Sequence, residues 1–250
     1  LSIIDLDNGS QPIYNEDKTL VLMFNGEIYN YKQLRKELQE KGHVFATDTD
    51  SEVLVHGFEE WREDLLNRLR GMFGFAIWNR TDESLFIARD FFGIKPMHYT
   101  QVGGHFLYAS EIKSILKFPG FEKKFNYRTL DNYLSFQYAV PPETFFEGVY
   151  CLLPGHYLWY RDGKVETTRY WEARFNPDES LTEEQAVDEI EKVFEESVNA
   201  HKISDVEVGC FLSSGVDSSY VSTYFADQKT FTVGFDFGEK YNEISWAERL

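Results

Sequence analysis

The sequence predicts two fold classes in tandem: an α+β region up to about residue 171, then an α/β region built on a parallel sheet. Three observations carry this reading. Short apolar runs bounded by Gly, Asn or Asp crowd the first region, with two helical stretches between them. Asn176-Pro177-Asp178 then breaks the pattern. Beyond it come a strand, a small-residue loop, a helix and a second strand, the order of a parallel sheet that binds its ligand at the carboxyl ends of its strands.

In the first region, strands are expected at 19–24, 73–78, 84–88 and 157–160, and helices at 31–41 and 52–61. The second helix has an imperfect apolar face of Val53, Val55, His56 and Phe58. Segment 173–181 reads as a linker between parts 1–172 and 182–250. After it, Thr182 and Gln185 match a capping box. Ala186, Ile190, Val193, Phe194 and Ser197 follow at helical spacing. A strand at 206–212, a loop, a helix at 220–226 and a strand at 230–235 complete the chain.

The loop 213–219 carries the clearest chemistry. A Ser/Gly turn between a strand and a helix offers hydroxyls and unpaired N–H groups at the positive end of a helix, which is an anion site. It lacks the G-x-x-x-x-G-K-S/T pattern, so Ser and backbone N–H groups would cradle phosphate while Mg²⁺ takes up charge. Asp217 would repel phosphate, so it is expected to hold the turn or a metal ion. The plain alternative is a Ser-capped helix after a buried strand.

A second candidate is Asn25-Gly26 after an apolar strand. An amide donor beside a glycine N–H can form an oxyanion hole. By itself, an Asn-Gly pair is more often a turn. At 48–52, Thr49 and Glu52 match a capping box, and the functional alternative pairs Asp50 with a substrate ammonium.

Composition narrows the classes. The chain has 250 residues, 42% of them apolar and 17% aromatic, enough for a sizeable core. A net charge of −17 argues against nucleic acid and anionic membranes as partners. Cys151 and Cys210 give no disulfide framework, fit a reducing compartment such as the cytoplasm, and read as buried packing residues. No apolar stretch is long enough to span a bilayer. The first residue is Leu1 and the last run, to Leu250, reads as mid-helix, so we expect a piece of a longer protein.

Segment 213–218 resembles the S-G-G-x-D-S loop of the N-type ATP pyrophosphatases, with Ser214 at a usual glycine. Further motifs run in order along the chain. They include Gln11-Pro12-Ile13-Tyr14, Asn25-Gly26-Glu27-Ile28-Tyr29-Asn30, Asp50-Ser51-Glu52 and Leu69-Arg70-Gly71-Met72-Phe73-Gly74. Ala88-Arg89-Asp90, Gly93-Ile94-Lys95-Pro96, Ala109-Ser110-Glu111-Ile112-Lys113, Leu153-Pro154-Gly155-His156 and Tyr170-Trp171 follow. Together they resemble the glutamine-hydrolysing asparagine synthetases.

That resemblance implies an N-terminal-nucleophile αββα four-layer sandwich, incomplete here, followed by the start of a parallel-sheet ATP pyrophosphatase domain. It implies an N-terminal cysteine nucleophile and a carboxylate-binding arginine, both upstream of Leu1. Leu1, Ile3 and Ile4 would wall the glutamine site, Asn25 and Gly26 would hold the oxyanion, and Gly26, Glu27 and Asp50 would bind the polar end. Leu212 and Val233 would flank adenosine, with Ser213, Gly215, Asp217, Ser218 and Ser219 around the phosphates and Asp217 near Mg²⁺. The implied reaction makes asparagine from aspartate, ATP and glutamine through a β-aspartyl-adenylate and transferred ammonia. The piece alone would then be inactive. Three other readings stay open. One is an amidotransferase on a cell-wall or capsule sugar acid. Another is an amidotransferase with a phosphosugar-type partner domain, which the 213–219 loop opposes. The third is an inactive glutaminase-like binding or dimerisation module. The oligomeric state stays open, a homodimer included.

Overall fold

The computed structural model describes residues 3–5, 8–225, 228–235 and 242–250. It divides into two compact units, Leu1–Phe175 and Asn176–Leu250. Each is described by itself.

Unit 1 contains β1 (Ile13–Tyr14), β2 (Leu20–Ile28), α1 (Tyr31–Glu40), α2 (Glu52–Trp61), a 3-10 helix (Arg62–Asn67), β3 (Gly71–Asn79), β4 (Ser84–Arg89), β5 (His98–Val102), β6 (His105–Ala109), α3 (Ile112–Ile115), α4 (Tyr127–Phe136), β7 (Tyr150–Cys151), β8 (His156–Arg161) and β9 (Lys164–Arg169). One antiparallel sheet has the order β1-β2-β3-β4-β8-β9 and a second the order β6-β5-β7.

Helix α1 buries Tyr31, Leu34 and Leu38, one stripe at spacings of three and four, as a helix on a sheet requires. Helix α2 is buried on every side from Glu52 to Phe58, so its imperfect amphipathicity reflects burial all round. Helix α2 packs on β1 and β2 of the larger sheet, and α1 packs on α2. Between the sheets, Ala76, Leu85, Ile87 and Leu158 of one meet Met97 and Leu152 beside the other, with Tyr99, Phe106 and Tyr108 packed on them. Helix α3 backs the smaller sheet. The layers are therefore helix, sheet, sheet, helix, an αββα sandwich with a thin outer helical layer.

Several motifs meet in one knot at the end of β4. Arg89 is buried and donates to the carbonyls of Lys95 (2.7 Å), Gly93 (2.7 Å) and Leu152 (2.6 Å), with Cys151 Sγ at 3.2 Å. Asp90, equally enclosed, accepts N–H bonds from Phe73, Phe92, Ile94 and Lys95. Gly93 has φ +66°, and a Cβ there would lie 2.9 Å from Arg89 Cζ. Only glycine fits both demands. Tyr170 Oη closes the knot on the Arg89 carbonyl at 2.7 Å. Cys151 is thus half-buried against a guanidinium rather than a buried packing residue, while Cys210 is buried as expected.

Unit 2 holds α5 (Glu183–His201), β10 (Cys210–Phe211), α6 (Val216–Thr223), β11 (Thr230–Phe231) and α7 (Ile244–Ala247). The Thr182/Gln185 capping box is present in both directions. Strands β10 and β11 are parallel, in register at Cys210 and Thr230. Two expectations change. The strands shrink from 206–212 and 230–235 to two residues each, because only those positions find a ladder partner. The helix begins at Val216, not 220, because extended Gly215 serves as its N-cap and takes the loop serines into the first turn. The apolar stripe of α5 is largely exposed, Ile190 at 63% and Val193 at 62%.

Candidate glutamine and phosphate sites

Asn25 lies in the middle of β2, not in a turn. All nine residues of β2 pair with β3, and that ladder overrides the local turn preference of Asn-Gly. The edge side is closed by Gln11, whose amide accepts the Phe24 N–H (2.7 Å) and donates to the Phe24 carbonyl (2.8 Å). Gly26 was expected to admit a ligand. The close approach the structure shows is to protein: a Cβ on Gly26 would lie 2.0 Å from the Met72 carbonyl oxygen, so the strands demand glycine here.

Asn25 Nδ2 donates to Ser110 Oγ at 3.1 Å across the two sheets. Both border a cavity of about 190 Å³, with Met23, Gly74, Met97 and Tyr108 around it. Ser110 is in turn fixed through its carbonyl, 3.1 Å from His98 Nδ1. A carbonyl only accepts, so Nδ1 carries the proton. Burial holds the His98 pKa below its ordinary value.

Asp50 sits at the other end of the strand. It is buried and accepts the Ile28 N–H at 2.8 Å, about 10 Å along β2 from Asn25. Burial pushes its pKa up to about 6; the Ile28 N–H opposes the rise and the Glu27 carboxylate adds to it. Ile4 is buried and Ile3 half-buried. Asp5, next to them, accepts the Asp48 N–H at 2.8 Å, so their segment abuts the one carrying Asp50. Leu1 lies outside the described residues. The Thr49/Glu52 capping box does not form. The Glu52 carboxylate instead accepts from the N–H groups of Ala46 and Thr47 and the Thr47 hydroxyl, and α2 has Ser51 as its N-cap.

In unit 2, Ser213 N–H reaches Ser218 Oγ at 3.2 Å, and the Ser213 and Ser218 hydroxyls lie 3.0 Å apart. Ser218 and Ser219 hydroxyls donate back to the Gly215 carbonyl. Ser214 has φ +58°, the left-handed region that glycine tolerates best, and its hydroxyl bonds the Ser213 carbonyl at 2.6 Å. A serine in this place needs either a negative φ or a fold that compensates for the strain; the loop takes the second course and keeps the glycine-type geometry. Asp217 is exposed in the first turn of α6 and its carboxylate makes no hydrogen bond among the described residues, so that side chain does not hold the turn. Leu212 is buried and bonded to Phe231 and Thr232 of the neighbouring segment, whereas Val233 is 58% exposed.

An αββα sandwich with a mid-strand Asn-Gly beside an inter-sheet cavity defines a glutamine amidotransferase type of domain. Residues 1–171 match the glutamine amidotransferase domain family and residues 189–250 match asparagine synthase. The first match covers more than half of the chain, and the chain belongs to the glutamine amidotransferase family. It is 42% identical over 253 residues to asparagine synthetase [glutamine-hydrolyzing] 1 of Bacillus subtilis (strain 168), covering 99% of this chain and 40% of that protein. A putative asparagine synthetase [glutamine-hydrolyzing] of Mycobacterium tuberculosis (strain ATCC 25618 / H37Rv) is 40% identical over 263 residues, with the same coverage. Amidase chyE of Penicillium rubens is 34% identical over 273 residues, covering 100% of this chain and 40% of that one. The chain thus spans about 40% of the length of these relatives. Among solved structures, a glutamine phosphoribosylpyrophosphate amidotransferase from B. subtilis aligns over 96% of this chain and 52% of its own at 18% identity, with a TM-score of 0.44. That likeness is too loose to carry an argument.

Proposed function

We propose that this chain carries the glutamine site and the ATP-phosphate loop of an enzyme that makes asparagine from aspartate, ATP and glutamine. The observation that carries the reading is the pairing, in one chain, of a cavity-facing Asn25 amide with a strand–Ser/Gly loop–helix phosphate cradle.

In this reading, glutamine enters between the sheets, walled by Leu1, Ile3 and Ile4. Its α-ammonium faces Asp50 and Glu27. Asn25 Nδ2 and the Gly26 N–H stabilise the oxyanion that forms on the side-chain amide carbon. The nucleophile in this reading is the cysteine that the resemblance to the asparagine synthetases implies, and Cys151, turned to Arg89, does not take that part. The ammonia released attacks the β-aspartyl-adenylate to give asparagine and AMP. The adenylate forms when ATP loses pyrophosphate over the 213–219 loop. There, Ser213, Ser218 and Ser219 hydroxyls and the first N–H groups of α6 receive the phosphates, with Leu212 and Val233 against adenosine. The Asp217 carboxylate is exposed, unengaged and a hard oxygen donor. It fits Mg²⁺ held jointly with phosphate, and that ion supplies charge neutralisation.

A second reading, amide chemistry on a substrate other than aspartate, is suggested by the relative whose name is amidase. Incubating the full-length protein with Mg-ATP, glutamine and a panel of carboxylates decides. Asparagine, AMP and pyrophosphate in equal amounts with aspartate alone support the main reading. Pyrophosphate release only with another carboxylate supports the second.

A further inference from the structure

On the helical side of unit 1, the β1–β2 turn, the α1–α2 loop and α2 bring together Glu16, His43, His56 and Glu59. One donor atom from each lies within 4.8 Å of the others. His43 Nδ1 is 3.1 Å from Glu16 Oε1, and His56 Nδ1 is 3.2 Å from Glu16 Oε2. Both rings have a second carboxylate behind them. His43 Nε2 faces Glu60 at 3.3 Å and His56 Nε2 faces Glu52 at 3.3 Å. These outer groups are themselves anchored, Glu52 by Ala46 and Thr47, and Glu60 by Lys41 at 3.2 Å. Glu59 is oriented by Asn15 Nδ2 at 3.1 Å.

A carboxylate only accepts, and a neutral imidazole has one N–H. With that proton on Nε2, given to the outer carboxylate, each Nδ1 turns a lone pair toward Glu16. His56 makes the point directly. It is fully buried, and its Nδ1 has no hydrogen-bond partner among the described residues, because the 3.2 Å approach to Glu16 lacks hydrogen-bond geometry. Two imidazole lone pairs and two carboxylates thus converge on one point. An imidazole backed by a carboxylate on its far nitrogen is the recurring support of a metal-binding histidine. Two nitrogen and two oxygen donors suit four-coordinate zinc.

We propose that Glu16, His43, His56 and Glu59 bind one divalent transition-metal ion of the zinc class. The donors close to a tetrahedral edge of about 3.3 Å by rotation of the two exposed glutamates. Imidazole donors separate this site chemically from an all-oxygen Mg²⁺ site at ATP phosphates. The ion ties the turn and the loop to α2 and so braces the helix whose first turn follows Asp50.

The test uses the full-length protein, tag removed and stripped with chelator, titrated with Co²⁺. The expected result is about one ion per chain with the intense visible absorption of tetrahedral cobalt, displaced by Zn²⁺, and a higher thermal midpoint with Zn²⁺. His43→Gln, Glu16→Gln and Glu59→Gln should each weaken binding at least about ten-fold. The two glutamates are exposed, so their variants fold even if changes at the histidines do not. Absence of cobalt binding, a pale octahedral spectrum, or unchanged binding in the folded glutamate variants would overturn the site and leave a network of imidazole–carboxylate contacts.

Discussion

Asn25 and Ser110 are 85 positions apart in sequence and 3.1 Å apart in space, one on the larger sheet and one at the end of a strand of the smaller. Their bond crosses the sandwich at the cavity. If Asn25 is the oxyanion donor, Asn25→Ala in the full-length protein should lose roughly 10²–10³ in glutamine-dependent turnover. Synthesis from free ammonia should persist. Steady-state assays with each nitrogen source distinguish this from misfolding, which depresses both equally.

Ser110→Ala removes the acceptor that orients the Asn25 amide, without touching the substrate. A loss in kcat of about ten-fold, with KM for glutamine little changed, is expected, and Ser110→Thr should restore most of it. An unchanged kcat in Ser110→Ala would mean that the bond plays no part in positioning Asn25.

Asp50 gives a pH signature. Its folded pKa is raised to about 6 from an unfolded value near 4. The folded state therefore holds the proton more tightly, and the group's contribution to stability is present below pH 4 and lost as pH rises through 6. Asp50→Asn, which keeps an acceptor for the Ile28 N–H, should stabilise the protein at pH 7 by about 1–3 kcal/mol in urea melts. The same change should abolish glutamine binding if Asp50 receives the ammonium. In the wild type, glutamine affinity should fall below pH 6.

Ser214 and Asp217 test the phosphate loop. Ser214→Gly relieves a left-handed serine at about 1–2 kcal/mol, offset by the flexibility glycine gains on unfolding, so a net gain of about 1 kcal/mol or less is expected. Asp217→Ala should suppress pyrophosphate release while the unfolding midpoint hardly moves, because the carboxylate is exposed and unbonded. Wild-type release from that variant would remove Asp217 from the ATP site.

Arg89→Ala should cost about 3 kcal/mol, since it strands the buried Leu152 carbonyl together with the part-buried carbonyls of Gly93 and Lys95. Far-UV circular dichroism during thermal unfolding reads this directly. A loss under 1 kcal/mol would mean that water replaces the guanidinium without penalty.

Much of unit 1 is legible in its sequence. The stripe of Tyr31, Leu34 and Leu38 and the apolar runs at 73–78 and 84–88 encode elements whose partners lie close along the chain. Asn25 shows the limit. Its dipeptide signals a turn, and only the nine-residue ladder with β3, invisible to local reading, makes it a strand residue. Ser110 stood out only as part of a motif, with no role, because its relation to Asn25 arises when two sheets stack. In unit 2, apolar runs predicted long strands, but a run becomes a strand only where another backbone pairs with it, here at two positions. Glycine-type geometry at Ser214 was signalled only by the family pattern, since serine itself disfavours it.

The Gln11 side chain stands in for a strand beside Phe24, and this bears on time as well as shape. With both Phe24 backbone groups engaged there, the stretch leading into Asn25 should not open by itself, and deuterium uptake at the Phe24 amide should track whole-unit unfolding. In Gln11→Ala that amide should label early while the amides of β3 stay dark. The stillness of the donor would then come from a residue that never meets the substrate.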